Sequence, residues 1–177
     1  MFKIAILGPE STGKSTLTKA LAEHFDSHYV TEYAREYVEN LKVPYNFNDI
    51  CNIAQIQIEQ ELYFEKNPTS QFVFFDTELI ITKVWFDFKY AKVPDFLIER
   101  LNVGFFDLYL LCTPDLTWEP DPLREHGSDR EFFFDWYKRE IELIGKPYCI
   151  VSGVDYQRQE NAVKCISSFF KLVTIYE

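Results

Sequence analysis

Residues 8–15 read Gly8-Pro9-Glu10-Ser11-Thr12-Gly13-Lys14-Ser15, which satisfies the complete G-x-x-x-x-G-K-[ST] pattern of a phosphate-binding loop. The flanks supply the context that pattern needs. Before it, Phe2-Lys3-Ile4-Ala5-Ile6-Leu7 is a short apolar run of the kind buried in a parallel sheet. After it, Thr16-Leu17-Thr18-Lys19-Ala20-Leu21-Ala22 continues as a helix. The glycines let backbone N–H groups curl around phosphate oxygens, and the helix N-terminus adds a partial positive charge of roughly half a unit. A nucleoside triphosphate is therefore the expected ligand. Gly8, Glu10, Ser11, Thr12, Gly13, Lys14, Ser15 and Thr16 are its candidate contacts. Lys14 is expected on the β- and γ-phosphates and the Ser15 hydroxyl on Mg²⁺.

The rest of the chain alternates strand and helix. Strands are predicted at Ser27–Thr31, Phe72–Phe75, Phe106–Leu111 and Tyr148–Val151. Helices are predicted at Tyr33–Lys42, from Phe47 to about Asn67, and over Thr77–Tyr90, Pro94–Asn102, Glu131–Ile144 and Asp155–Phe170. The tail from Leu172 to Tyr176 reads equally as a strand or a loose end. With no repeat, linker or low-complexity tract, 177 residues make one expected domain. The fold class is α/β: a five-stranded, mainly parallel sheet flanked by helices, of the P-loop NTPase type.

Composition narrows the partners. A formal net charge of −10 argues against nucleic acid and against an anionic membrane surface. No apolar run is long enough to span a bilayer, and a strand starting at the N-terminus leaves no room for a signal peptide. Cys51, Cys112, Cys149 and Cys165 show neither C-x-x-C nor metal-ligand spacing, so they are expected to be reduced, mostly buried thiols of a cytoplasmic protein. His24 and His28 read as surface residues.

Four further groups can carry chemistry. Asp76 ends the most apolar strand, where an acid holds Mg²⁺ or takes the acceptor's proton. It also precedes a helix, so an N-cap role stands beside that one. Glu32 and Arg35 follow the second strand and either flank an acceptor or form a solvated helix face. The polar stretch from Thr113 to Arg130 is too long for an ordinary connection and suits a lid. Its Arg124 and Arg130 would stabilise charge on a transferring phosphoryl group. Trp85 and Trp118 either pack in the core or form a slot for a flat, cationic ring.

These pieces together resemble the ribosylnicotinamide kinase domain of NadR-type proteins. The similarity rests on Gly8–Ser15, Thr31-Glu32-Tyr33-Ala34-Arg35-Glu36-Tyr37, Phe75-Asp76-Thr77, Trp85, Tyr109-Leu110-Leu111, Trp118 through Asp121 to Arg124 and Arg130, and Pro147-Tyr148 to Val151-Ser152-Gly153. It covers nearly the whole chain. The resemblance implies a kinase with a lid at about residues 113–130, using ATP and Mg²⁺ to phosphorylate the 5′-hydroxyl of nicotinamide riboside. It implies catalytic roles for Lys14, Asp76, Arg124 and Arg130, and metal ligation by Ser15 and Asp76. Substrate contacts are implied for Glu32, Tyr33, Arg35, Asp76, Trp85, Trp118 and Asp121. Adenylyltransferase and DNA-binding domains, which some relatives carry upstream, are not expected before a loop that starts at residue 8. One departure is Pro122 after Asp121, where the family tends to have glycine. Two other readings stand beside this one: a kinase for a different nucleoside or metabolite on the same site plan, and, of a different class, a regulatory P-loop ATPase. Composition leaves the oligomeric state open.

Overall fold

Phe2–Leu7 forms β1, the middle strand of a parallel sheet whose other members are His28–Val30 (β2), Phe72–Asp76 (β3), Leu108–Cys112 (β4) and Tyr148–Val151 (β5). The order across the sheet is β2-β3-β1-β4-β5, and every pairing is parallel. The computed structural model describes residues 1–122, 124 and 127–171, so the tail from Leu172 onward lies outside the described residues. β3 and β4 are buried along their full lengths, as expected of strands covered on both faces.

The pleat sorts side chains onto two cores. Ile4, Ile6, Phe72, Phe74, Leu108 and Leu110 point to one face, where Lys14–His24 (α1) and Asp155–Phe169 (α7) cover them. Ala5, Leu7, Val73, Phe75, Tyr109 and Leu111 point to the other, under Phe47–Lys66 (α3), Leu79–Tyr90 (α4), Asp95–Val103 (α5) and Arg130–Leu143 (α6). A short helix, Tyr33–Glu39 (α2), leads from β2 to α3. β1 thus sends its helix to one face while its neighbours β3 and β4 send theirs to the other. Chains diverging in this way open a crevice at the carboxyl ends of the strands, where ligands of such sheets bind.

The element boundaries differ from the sequence reading where local chemistry intervenes. α4 begins at Leu79 rather than Thr77. Thr77 is left-handed at φ 68°, and Glu78 is extended with its carboxylate accepting from the Ile80 N–H at 2.9 Å. The N-cap is therefore Glu78, and the capping role considered for Asp76 is not borne out. α2 ends at Glu39, short of the predicted Lys42. α3 starts on a capping box in which Asn46 and Asp49 exchange side-chain and backbone bonds.

The cysteines depart further from expectation. Cys149 on β5 and Cys165 on α7 are joined in a disulfide with Cα atoms 6.5 Å apart, so only Cys51 and Cys112 are free. Of the four, Cys112 alone is fully buried. The bridge joins a strand to the helix that follows it. That juxtaposition depends on how α7 docks, which no sequence spacing encodes. Among the described residues no helix is long and apolar enough to cross a membrane.

Candidate active site

The phosphate loop closes around itself with bonds its own residues dictate. The Thr12 hydroxyl donates to the Pro9 carbonyl at 2.9 Å, and so does Lys14 Nζ, also at 2.9 Å. Gly8 is required: a Cβ there would lie 2.8 Å from the Cys112 carbonyl oxygen at the end of β4. Ser11 at the loop tip and Gly13 before α1 both have positive φ, 57° and 71°. That conformation turns the chain so that α1 begins at Lys14 with its N-terminus open to the cleft.

Register brings the candidate acid to this loop. Asp76 pairs with Ile6 across β3 and β1, and the Thr77 N–H donates to the Ile6 carbonyl at 3.1 Å. Asp76 is buried, and its Oδ1 has no partner. Burial raises its pKa, while a bond from the Ser15 hydroxyl and the charges of Lys14, Lys19 and Arg35 hold it down. Glu32 is also pushed up, first by burial and then by Asp76 and Glu10, against Lys14 and Arg35. Two carboxyls thus share Lys14. A buried carboxylate oxygen without a partner, beside the loop hydroxyl, fits a Mg²⁺ or a substrate hydroxyl. A triphosphate-bound Mg²⁺ takes most of its ligands from phosphate and water, so Ser15 and Asp76 suffice as protein ligands.

The polar segment after β4 lies over the loop. Ser11 is its anchor: the Glu119 N–H donates to the Ser11 hydroxyl at 3.0 Å, and that hydroxyl donates to the Thr117 carbonyl at 3.3 Å. Arg130 donates to the Leu116 carbonyl at 2.8 Å and reaches the Ser11 carbonyl at 3.5 Å. Arg124 bonds the Glu119 carbonyl and approaches the Ser11 hydroxyl at 3.5 Å. Arg158 on α7 clamps the base of the segment through Asp115 and the Thr113 carbonyl. No sequence signal marked Arg158, since it acts from a helix 43 positions away.

One cleft of about 540 Å³ joins these parts. Residues 8–16, Glu32, Arg35 and Arg124 line it together with the aromatic residues Tyr45, Trp85, Phe88, Phe133 and Tyr137. Trp85 donates through Nε1 to the Tyr45 hydroxyl at 3.1 Å, with the two rings edge to face at 4.8 Å. Four predicted substrate residues, Tyr33, Asp76, Trp118 and Asp121, sit outside the lining. Tyr33 borders a separate small cavity with Asp76, Gln57, Glu61 and Glu78. Asp121 lies behind Arg35, which donates to it at 2.7 Å. Trp118 packs within the polar segment, so close to Gly127 that a Cβ there would fall 2.7 Å from the indole. Tyr45, Phe88 and Lys89 are cleft residues the sequence reading missed. Their positions come from loop 40–46 and the far end of α4, and no motif announces them.

Comparison with known proteins matches this geometry. The sequence model of a family described as an AAA domain matches residues 3–159. The chain belongs to that family. It is also 31% identical over 159 residues to the trifunctional NAD biosynthesis/regulator protein NadR of Escherichia coli (strain K12), and equally so to that of Salmonella typhimurium. Each alignment covers 86% of this chain and 38% of the relative, so the chain spans well under half the length of these curated relatives. Among solved structures, a NadR protein in complex with NR superposes with a TM-score of 0.77 at 25% identity, over 99% of this chain and 53% of that one. A deoxyadenosine kinase from M. mycoides superposes with a TM-score of 0.57 at 15% identity, over 97% of this chain and all of that one. That second likeness shows the fold alone. The resemblance to NadR-type proteins read from the motifs extends over the whole chain.

Proposed function

We propose that this chain transfers the γ-phosphoryl group of ATP to the 5′-hydroxyl of nicotinamide riboside, giving nicotinamide mononucleotide and ADP. The observation that carries this is one cleft lined both by the phosphate loop and by the Trp85–Tyr45 aromatic pair, with the unpartnered Asp76 oxygen at the end of β3 beside Thr77 of its lining. The NAD biosynthesis role of the NadR relatives and the structure of a NadR protein in complex with NR favour this acceptor.

In this mechanism the 5′-oxygen attacks the γ-phosphorus in line. The new O–P bond forms as the bond to the bridging oxygen of ADP breaks, and the hydroxyl proton passes to an Asp76 carboxylate oxygen. Lys14 and Arg124 stabilise charge on the transferring group, and Arg130 holds the segment that carries Arg124. Glu32 and Arg35 orient the ribose side of the acceptor, and Trp85 packs on its ring. Ser15 and Asp76 would hold Mg²⁺, which supplies charge neutralisation for the phosphates. Trp118, Tyr33 and Asp121 act from behind, fixing the segment and Arg35.

The test is ADP release with MgATP across a panel of ribosides, nucleosides and no acceptor. Turnover stimulated by nicotinamide riboside is the expected result. Stimulation by another nucleoside alone replaces the acceptor and keeps the site plan. Hydrolysis that no acceptor stimulates makes the chain a regulatory ATPase.

A further inference from the structure

Arg158, on the buried face of α7, carries its guanidinium to the ends of two strands. Its Nε donates to the Gly153 carbonyl at 2.8 Å, in the turn after β5. Its terminal nitrogens approach the Val151 carbonyl at 3.5 Å and the Thr113 carbonyl, just past β4, at 3.3 Å. The charge is met by Asp115, on the polar segment that runs on from β4. The other Asp115 oxygen accepts from the Gly153 N–H at 2.7 Å. One fork thus joins the last helix, the turn that leads into it and the start of the segment. The next residues of that segment rest on the phosphate loop. Leu116 lies against Gly13, where an added Cβ would come within 3.1 Å of it, and Thr117 and Glu119 hold the Ser11 hydroxyl. Arg124, which lines the cleft, bonds the Glu119 carbonyl and approaches the same hydroxyl. A path of bonds and chain neighbours therefore runs from Arg158 through Asp115 to Arg124.

Resting on the riboside-kinase reading above, we propose that Arg158 is a positioning residue for phosphoryl transfer: it fixes the base of the polar segment, and through it the place of the Arg124 guanidinium beside the phosphate loop. The ordinary role of a buried arginine at strand ends is to satisfy carbonyls and dock its helix. That role accounts for the bonds to Val151 and Gly153, whereas the bonds to Thr113 and Asp115 act on the segment. A docking role alone would cost stability and leave the rate of the folded enzyme independent of whether Arg124 is present.

The experiment measures Tm and single-turnover phosphoryl transfer, with MgATP, nicotinamide riboside and the full chain in excess, a format that reads slow variants. Arg158→Met and Arg158→Lys are each made in the wild type and in Arg124→Ala. Arg158→Met should slow transfer at least about ten-fold in the wild type, since misplacing a group by an ångström costs on the order of 10²-fold. In Arg124→Ala the same change should slow it by less than about two-fold, because the group that Arg158 places is gone. Tm should fall equally in both backgrounds. Arg158→Lys keeps the charge beside Asp115 but not the fork, so it should show a smaller loss with the same dependence on Arg124. That variant carries the test where Arg158→Met does not fold. Equal slowing in both backgrounds overturns the proposal, and so does unchanged transfer in the folded Arg158 variants. In both cases the kinase reading stands. A wild type that transfers nothing to the riboside overturns both.

Discussion

Arg35 and Asp121 form a 2.7 Å ion pair across 86 positions of sequence. The pair joins the start of α2 to the segment that covers the phosphate loop. The hydrogen bond that Asp121 accepts holds the Arg35 pKa above its ordinary value. Arg35 also bonds Glu39 one helical turn on, at 3.1 Å. One guanidinium thus ties the cleft lining to the segment that lies over the loop.

Asp121→Ala should therefore cost more activity than stability. Partly exposed ion pairs contribute up to about 1 kcal/mol. In a chain of this size that moves Tm by only about 2–4 °C. Acceptor KM should rise several-fold. Paired melting and steady-state kinetics check this, and a large Tm loss with unchanged KM would make the pair purely structural.

Lys14→Ala should abolish ATP turnover in a folded protein. The side chain bonds the Pro9 carbonyl within its own loop, so little tertiary structure depends on it. The measurement is ADP release alongside circular dichroism. Near-normal turnover would remove the loop from the chemistry.

Arg124→Ala and Arg130→Ala should each lower kcat more than they raise acceptor KM. Interactions made mainly in the transition state lower kcat and kcat/KM together. Arg124 lines the cleft, while Arg130 pins the Leu116 carbonyl, so the Arg124 effect should be the larger. An unaltered kcat would make the arginine concerned a surface residue.

Asp76→Asn should cut turnover at least about 10²-fold, within the usual range for losing a positioned base. The following helix is capped by Glu78, so the change removes no cap. Tm should hold or rise, because a buried carboxylate with one unpartnered oxygen is replaced by a neutral group. Loss of stability with intact turnover would assign Asp76 a structural role.

Glu78 should make stability fall as pH rises. Its burial, with Glu61 nearby, raises its pKa well above the ordinary 4.5. The folded state therefore keeps a proton that the unfolded chain releases near its ordinary pKa. Stability from this group is full below pH 4.5 and is lost as pH climbs toward the folded pKa. Glu78→Gln should flatten the Tm decline as pH rises above 4.5. An equally steep decline in the variant would show that Glu78 is ionised in the folded protein.

Much of the fold is legible because its signals are local. A short, aromatic-rich continuous apolar run such as Phe72–Phe75 reads as a strand covered on both sides, and the Gly8–Ser15 pattern calls for a strand before it and a helix after it. Asp76 was legible for the same reason, since the end of a buried parallel strand is where such sheets place their ligands. Capping was not. Asp76 and Glu78 both precede α4, and the left-handed Thr77 between them decided which one caps it.

By itself the sequence determined the phosphate loop, the α/β class, the acid at the end of β3 and the presence of a long polar segment before α6. Each depends on residues close together along the chain. Only the tertiary structure decided which distant groups meet. It seats the segment on Ser11, pairs Arg35 with Asp121, bridges Cys149 to Cys165, and puts Lys89 on the face of Tyr45. These meetings depend on how helices dock on the two faces of the sheet. That docking is set by the summed burial of many side chains, and no local pattern records it.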